Sequence, residues 1–117
     1  MPNNVYVVQQ RFSRQGDGSQ KFHNYDAAFK YGVISYLIPS KSIVDDLYNG
    51  DIDKLLEERL SQFSEDDYLI LTGDPVMCAQ VVLAAVFRLP ENVTTLKILK
   101  WNFEQGEYYP VEIKIPG

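Results

Sequence analysis

Two loops that follow predicted strands carry polar side chains able to contact a ligand. Ligands of open parallel sheets bind beyond the carboxyl ends of the strands, so these loops form the candidate ligand site. Its residues are Ser40, Lys41, Ser42, Thr72, Gly73 and Asp74. The helix predicted after Asp74 offers backbone N–H groups to an anion, but the Asp74 carboxylate can accept from the same groups and would repel a phosphate. The sequence therefore favours Asp74 as a helix N-cap over a contact with a ligand.

The remaining reactive side chains do not form a catalytic or metal-binding set. His23 and Cys78 are the only histidine and the only cysteine, which excludes a zinc site built on several of them. Cys78 lies in the first turn of an apolar helix and is predicted to be a packed core thiol, while His23 is predicted to be structural. The carboxylates of residues 65–67 lack EF-hand spacing and predict a solvated connection. The phosphate-binding motifs GxGxxG and GxxxxGK[ST] are absent, so we expect no catalytic residues, no metal and no cofactor.

Four aromatic residues near the C-terminus form the candidate interface, and they are Trp101, Phe103, Tyr108 and Tyr109. Aromatic side chains are enriched in interface hot spots, so this group could contact a partner. Packing between the two strands of a hairpin explains the same pattern without a partner. Both interpretations remain open from the sequence.

Apolar runs and turn residues predict the elements that position these side chains. In chain order they are a strand over Val5–Phe12, a hairpin loop around Gly16-Asp17-Gly18, a helical turn over Tyr25–Tyr31, a strand over Val33–Ile38, a helical turn over Ser42–Tyr48, a helix from Asp51 to about Gln62, a strand over Tyr68–Thr72, a helix over Val76–Phe87, and strands over Thr94–Trp101 and Tyr108–Ile115. This order predicts one α/β domain over residues 1–117, with a small open sheet of about five strands. The central strands are parallel through right-handed βαβ crossovers, and the C-terminal hairpin is antiparallel at the edge.

Three of these elements carry sharper expectations. The strand over Val33–Ile38 hardly alternates and should be central, with both faces covered, and Gly32 before it should adopt the left-handed C′ conformation. Asp51 should be an N-cap. In the helix over Val76–Phe87 the only strongly polar residue is Gln80, so a second cover is expected besides the sheet. The residues expected on its outer face are Met77, Val81, Ala84 and Ala85.

Composition narrows the possible partners. Eleven Lys and Arg against sixteen Asp and Glu give a formal net charge of −5 over 117 residues, which disfavours nucleic acid and anionic membranes. A single cysteine and the absence of an N-terminal apolar segment predict a cytoplasmic protein without a membrane anchor. The apolar helix and the edge hairpin predict a homodimer.

Several segments resemble small uncharacterised proteins of tailed bacteriophages. The segments are Val5–Gln9, Tyr31–Ile34, Asp66–Pro75, Leu99–Trp101 and Tyr109–Ile113. The resemblance covers most of the chain and implies a setting, the cytoplasm of the infected bacterium, without implying an activity. Our leading hypothesis is a phage accessory protein that is not an enzyme and that binds a protein, either itself or a host or phage protein. The alternative is a small-molecule or nucleotide-binding α/β domain with its site at the carboxyl ends of the strands.

Overall fold

The computed structural model describes residues 3–22, 24–38 and 51–116. Five strands form one sheet in the order β4-β1-β5-β6-β7, and β2 and β3 form a separate pair. The elements are β1 (Asn4–Gln9), β2 (Phe12–Arg14), β3 (Gln20–Phe22), a 3-10 helix (Asp26–Tyr31), β4 (Val33–Ile38), α1 (Asp51–Arg59), β5 (Tyr68–Ile70), α2 (Pro75–Arg88), β6 (Thr95–Asn102) and β7 (Glu107–Lys114).

The topology confirms the predicted α/β class. β1 pairs in parallel with β4 and β5, β5 pairs in parallel with β6, and β7 closes an antiparallel hairpin at the edge. Both α-helices pack on one face of the sheet, and the 3-10 helix packs on the other. The connections that contain α1 and α2 lie on one face of the sheet and lead from β4 in the direction of β6. The connection from β1 to β4 lies on the other face and leads in the opposite direction. All three therefore have the same hand, as the rule for parallel connections requires.

β1 is buried on both faces. Tyr6 and Val8 lie in the cluster under the two α-helices, while Val5 and Val7 lie in the cluster under the 3-10 helix. The prediction that Val33–Ile38 is central is wrong, because β4 lies at the sheet edge and its first residue is 50% exposed. β1 and β4 both lack alternation, so the pattern alone does not distinguish a central strand from an edge strand. After β1 the chain crosses the sheet face that carries the 3-10 helix, which places β4 beside β1 on the side away from β5.

Two side chains extend the pairing between β1 and the short strand β5. Before β5, Asp67 Oδ1 accepts the N–H of Asn4 at 2.8 Å. After β5, the Thr72 hydroxyl donates to the Gln9 carbonyl at 2.6 Å and accepts the Gln9 N–H at 3.3 Å. Asp67 Oδ2 also accepts the N–H of Ser64 at 2.8 Å, and Asp67 is only 3% exposed. The prediction of a solvated connection is therefore wrong for Asp67, since its carboxylate supplies acceptors that the short strand lacks.

The prediction that Gly32 is a left-handed C′ residue is also wrong. Its φ of 153° and ψ of −176° form an extended conformation that is essentially restricted to glycine. Next to it, the Val33 N–H donates to the Asn3 carbonyl at 2.8 Å. A Cβ on Gly32 would lie 2.3 Å from the Asn3 oxygen. Glycine is therefore required for the close approach of β4 to the start of β1.

The remaining differences concern where elements end. The predicted strand Val5–Phe12 stops at Gln9, and Phe12–Arg14 instead pairs with β3 in the small hairpin whose Gly16-Asp17-Gly18 loop was expected. In that loop, the Asp17 carboxylate accepts from both the N–H and the hydroxyl of Ser19.

The helix predicted from Asp51 to about Gln62 is α1, which ends at Arg59. Asp51 is a residue of this helix and not the N-cap before it. After Arg59 the chain forms a tighter turn, in which the Phe63 N–H donates to the carbonyl three residues earlier, that of Leu60, at 3.0 Å. The helical turn predicted over Ser42–Tyr48 lies outside the described residues.

Substituting Gly32→Ala should lower the free energy of unfolding by about 1 to 3 kcal/mol through backbone strain alone, with the clash against Asn3 adding to it. Gly16→Ala is the matched control, because no atom lies within 4 Å of a Cβ there and its change should stay within about 0.5 kcal/mol. Urea denaturation measures both. Equal stability of the two variants would contradict the requirement for glycine at position 32.

Substituting Asp67→Ala should lower the free energy of unfolding by about 1.5 to 3 kcal/mol, because two N–H groups lose a charged acceptor. Asp66→Ala removes the neighbouring, exposed carboxylate and should change stability by less than about 0.5 kcal/mol. Thermal or urea denaturation compares the pair. If both variants lose the same stability, the Asp67 bonds do not matter to the fold.

Candidate functional site

The predicted ligand loop is described only in part. Thr72, Gly73 and Asp74 follow β5 at the carboxyl edge of the sheet, next to the end of β1. The other three predicted residues, Ser40, Lys41 and Ser42, lie outside the described residues, as does His23. The site is therefore built here from the ends of β1, β5 and β6 and from the segments that follow them.

Thr72 and Gly73 join the ends of β1 and β5. Both hydrogen bonds of the Thr72 hydroxyl go to the backbone of Gln9. A Cβ on Gly73, whose φ is 100°, would lie 2.7 Å from Gln9 Oε1, so the Gln9 side chain packs directly on this glycine. The gap between the two strand ends is thus filled by protein.

Asp74 is the N-cap of α2, as predicted. It has extended backbone angles, and its carboxylate accepts the Val76 N–H at 3.1 Å, with Pro75 at the first helical position. Proline fits there because its missing N–H has no partner within the helix. The cap occupies a donor that a bound anion would need.

Cys78 is half-buried behind this cap. Its thiol donates to the Thr72 carbonyl at 3.5 Å. Burial raises the pKa of the Cys78 thiol, the nearby Asp74 carboxylate raises this pKa further, and the charge of Arg11 partly offsets the rise. The thiol is therefore protonated at neutral pH and a poor nucleophile, which agrees with a packed structural cysteine.

A cleft of about 590 Å³ opens beside the closed strand ends, and we call it the carboxyl-edge cleft. Its residues Arg11 and Tyr25 are not predicted from the sequence. A signal for Arg11 existed, because it follows a strand whose carboxyl end lies at the expected ligand edge. The residues that line the cleft are Arg11, Asn24, Tyr25, Leu71, Thr72, Gly73, Trp101, Phe103 and Tyr108.

The four aromatic residues of the candidate interface do not form one surface. Trp101 and Tyr108 are cross-strand partners whose rings meet edge to face, with centroids 4.9 Å apart. Tyr108 is only 7% exposed, so its ring belongs to the core and is not available to a partner. Tyr109 is its neighbour along β7 and therefore points to the opposite face of the sheet. Phe103, in the hairpin turn, is exposed.

The outer face of α2 differs from the predicted one. Met77, Val81 and Ala85 are buried against the sheet and α1, and Ala84 is half-buried, because the core lies on that side. The exposed residues of α2 are instead Pro75, Val76, Ala79, Leu83, Phe87 and Arg88. Beside them runs an apolar groove of about 530 Å³, which we call the α2 groove. It is lined by Leu71, Pro75, Cys78, Ala79, Val82 and Leu83.

The described residues contain neither a metal-binding cluster nor a membrane-spanning helix. Among residues 3–22, 24–38 and 51–116, no group of three or more His, Cys, Asp and Glu side chains is placed to hold a metal ion. No helix in these ranges is both long enough and apolar enough to cross a bilayer. The cleft and the groove are therefore the features that we consider for function.

Comparison with known proteins gives a family of nearly full length. A family model described as Phage Pam3 gp32-like protein matches residues 3–115. Neither the curated proteins nor the solved structures contain a match to the chain. The matched range includes every strand and helix from β1 to β7, so it concerns the whole described fold.

Substituting Asp74→Asn should keep the helix cap while removing the charge that raises the pKa of Cys78, so that pKa should fall but stay above its ordinary value because burial remains. Asp74→Ala should also lower the pKa, and it should cost about 0.5 to 2 kcal/mol of stability. The pH dependence of iodoacetamide alkylation and urea denaturation measure the two effects. An unchanged alkylation profile in Asp74→Asn would contradict the coupling.

Proposed function

Because the chain belongs to the Phage Pam3 gp32-like protein family, we propose that it is a phage accessory protein that works by binding protein, with a second copy of itself as the first partner. The family agrees with the phage resemblance found in the sequence and names no chemistry. The setting that we propose is the cytoplasm of the infected bacterium. Binding is assigned to α2 and the α2 groove.

The observation that carries this proposal is the apolar outer face of α2. Val76, Leu83 and Phe87 are 62%, 72% and 87% exposed, and no described segment of the chain covers them. The α2 groove runs alongside, so the exposed apolar surface is continuous. Contiguous apolar patches on soluble proteins mark interaction sites far more often than scattered exposed residues do.

The spacing along α2 favours a second copy as the occupant. Ala79 and Phe87 lie four residues before and four residues after Leu83, all on one exposed stripe. When two copies of α2 pack antiparallel about a twofold axis through Leu83, the large Phe87 of each meets the small Ala79 of the other. Ala79 lines the α2 groove, so the protruding ring enters a depression. A twofold contact requires such a self-complementary surface.

The charges at the two ends of α2 support the same arrangement. Arg88 is the only charged residue within Pro75–Arg88, and it lies in the last turn, while Asp74 caps the first. Antiparallel packing brings the C-terminal end of one helix to the N-terminal end of the other. Opposite charges and opposite ends of the helix dipoles then lie together.

The edge of β7 contributes less than the sequence suggested. The Ile115 N–H donates to the Thr94 carbonyl, so the odd-numbered residues of β7 direct their backbone N–H and C=O groups toward β6. The backbone groups of residues 108, 110, 112 and 114 therefore point away from the sheet. At position 110 proline has no N–H, and the Tyr108 carbonyl accepts the Tyr31 hydroxyl at 3.2 Å. Half of the edge is thus unsuited to pairing with another strand. The exposed face of α2 is therefore a better binding surface for a partner than the edge of β7.

Light scattering over a concentration series should give a mass near twice 13.4 kDa for the parent chain. Phe87→Ser should shift the mass to that of the monomer, because the exposed ring is the proposed knob. Phe29→Ser removes another exposed phenylalanine, on the 3-10 helix, and should leave the dimer intact. Ala79→Trp should also give a monomer, because it fills the depression opposite Phe87.

A mass near 13.4 kDa at every concentration would contradict self-association. In that case, capture of a host or another phage protein that requires Phe87 but not Phe29 would move the proposal to a different protein partner. Dissociation by Phe29→Ser as readily as by Phe87→Ser would place the interface elsewhere.

A further inference from the structure

The carboxyl-edge cleft lies where a parallel sheet offers a binding position. The chain leaves β1 toward β4 and leaves β5 toward β6, so the connections depart in opposite directions from two adjacent strand ends. Such a switch point is where open α/β sheets bind ligands. Here Gln9 and Thr72 close the gap between the strands themselves. The open volume lies beside this closure, toward Trp101 at the end of β6.

Aromatic side chains form much of the wall of this cleft. Tyr25 and Tyr108 are buried, whereas Trp101 and Phe103 are accessible to solvent. The edge-to-face contact with Tyr108 fixes the Trp101 ring from one side. A planar molecule can therefore stack on a ring whose position is already set. The volume of about 590 Å³ is within the range of about 300 to 1,000 Å³ typical of small-molecule sites.

Arg11 supplies the charge. Among the described residues that line the cleft it is the only charged one, and no hydrogen bond or ion pair joins its guanidinium to another described residue. This cation stands out in a chain with a net charge of −5. Arginine is well suited to carboxylate and phosphate groups because its donors form a planar fork. An anion in the cleft would pair with Arg11, since Asp74 already caps the nearby helix N-terminus.

We propose that the carboxyl-edge cleft binds a planar aromatic molecule that carries an anionic group, with its ring on Trp101 and Phe103 and its anion on Arg11. A nucleoside monophosphate has both parts and is a suitable probe. The site shares Leu71 with the lining of the α2 groove but contains none of Ala79, Leu83 and Phe87, so it does not require the proposed association with a second copy.

AMP, adenosine and inorganic phosphate can each be titrated against the full chain while the emission of Trp101, the only tryptophan, is followed. AMP should change this emission saturably and should bind more tightly than adenosine or phosphate. Arg11→Gln should weaken AMP binding about tenfold, the usual scale for one lost charge-assisted contact, and leave adenosine unchanged. Phe103→Ser should weaken both AMP and adenosine. Lys114→Gln, at the far end of β7, is the charge-matched control and should change neither.

Three outcomes would overturn the proposal. One is an emission of Trp101 that does not change saturably with AMP. Another is an AMP affinity that is the same in Arg11→Gln and in the parent, or reduced equally by Lys114→Gln. The third is inorganic phosphate binding as tightly as AMP, because the aromatic wall would then contribute nothing. Light scattering of the same samples reports the mass separately, so a failed dimer and a failed ligand site give different results.

Discussion

The burial of β1 on both faces is the constraint on which the rest of this fold depends. A strand with cores above and below needs a hydrogen-bonded neighbour on each side, a helical layer on one face and a second cover on the other. The chain meets these needs with β4 and β5, with α1 and α2, and with a 3-10 helix of six residues. Because β5 has only three residues, the side chains of Asp67 and Thr72 complete its pairing with β1. The same pairing closes the gap at the carboxyl edge and displaces the open cleft toward β6.

Local signals in the sequence were sufficient for much of the fold. The cap at Asp74, the apolar helix after it and the C-terminal hairpin are each indicated by residues that are neighbours in the sequence. The structure has all three. The errors concern features whose causes lie far away in the chain. Gly32 is required by Asn3, and Asp67 is buried because it binds Asn4, which is 63 residues distant. No local pattern of capping or alternation contains that information.

The candidate site shows the same division. The carboxyl edge was predicted from the order of strands and helices, and Thr72, Gly73 and Asp74 do lie there. Thr72 and Asp74 also stabilise the fold through their bonds to Gln9 and Val76, and the cleft that Thr72 and Gly73 line takes Arg11 and its aromatic residues from other elements. Arg11 and Trp101 come together only when the sheet is assembled, so spacing along the chain could not pair them. The outer face of α2 was misplaced for a related reason, since a helix that is apolar all round does not reveal which side faces the sheet.

The large sequence separation of the bonds made by Asp67 and Thr72 also affects how the chain folds during synthesis. β1 is made first, but its bonds to Asp67 and Thr72 each span 63 residues. This strand, which is buried on both faces, therefore leaves the ribosome well before its partner β5 exists. Until then its edge is exposed, and contacts of such large sequence separation form slowly. When several copies are synthesised close together, this interval is when one nascent chain is most able to pair wrongly with another.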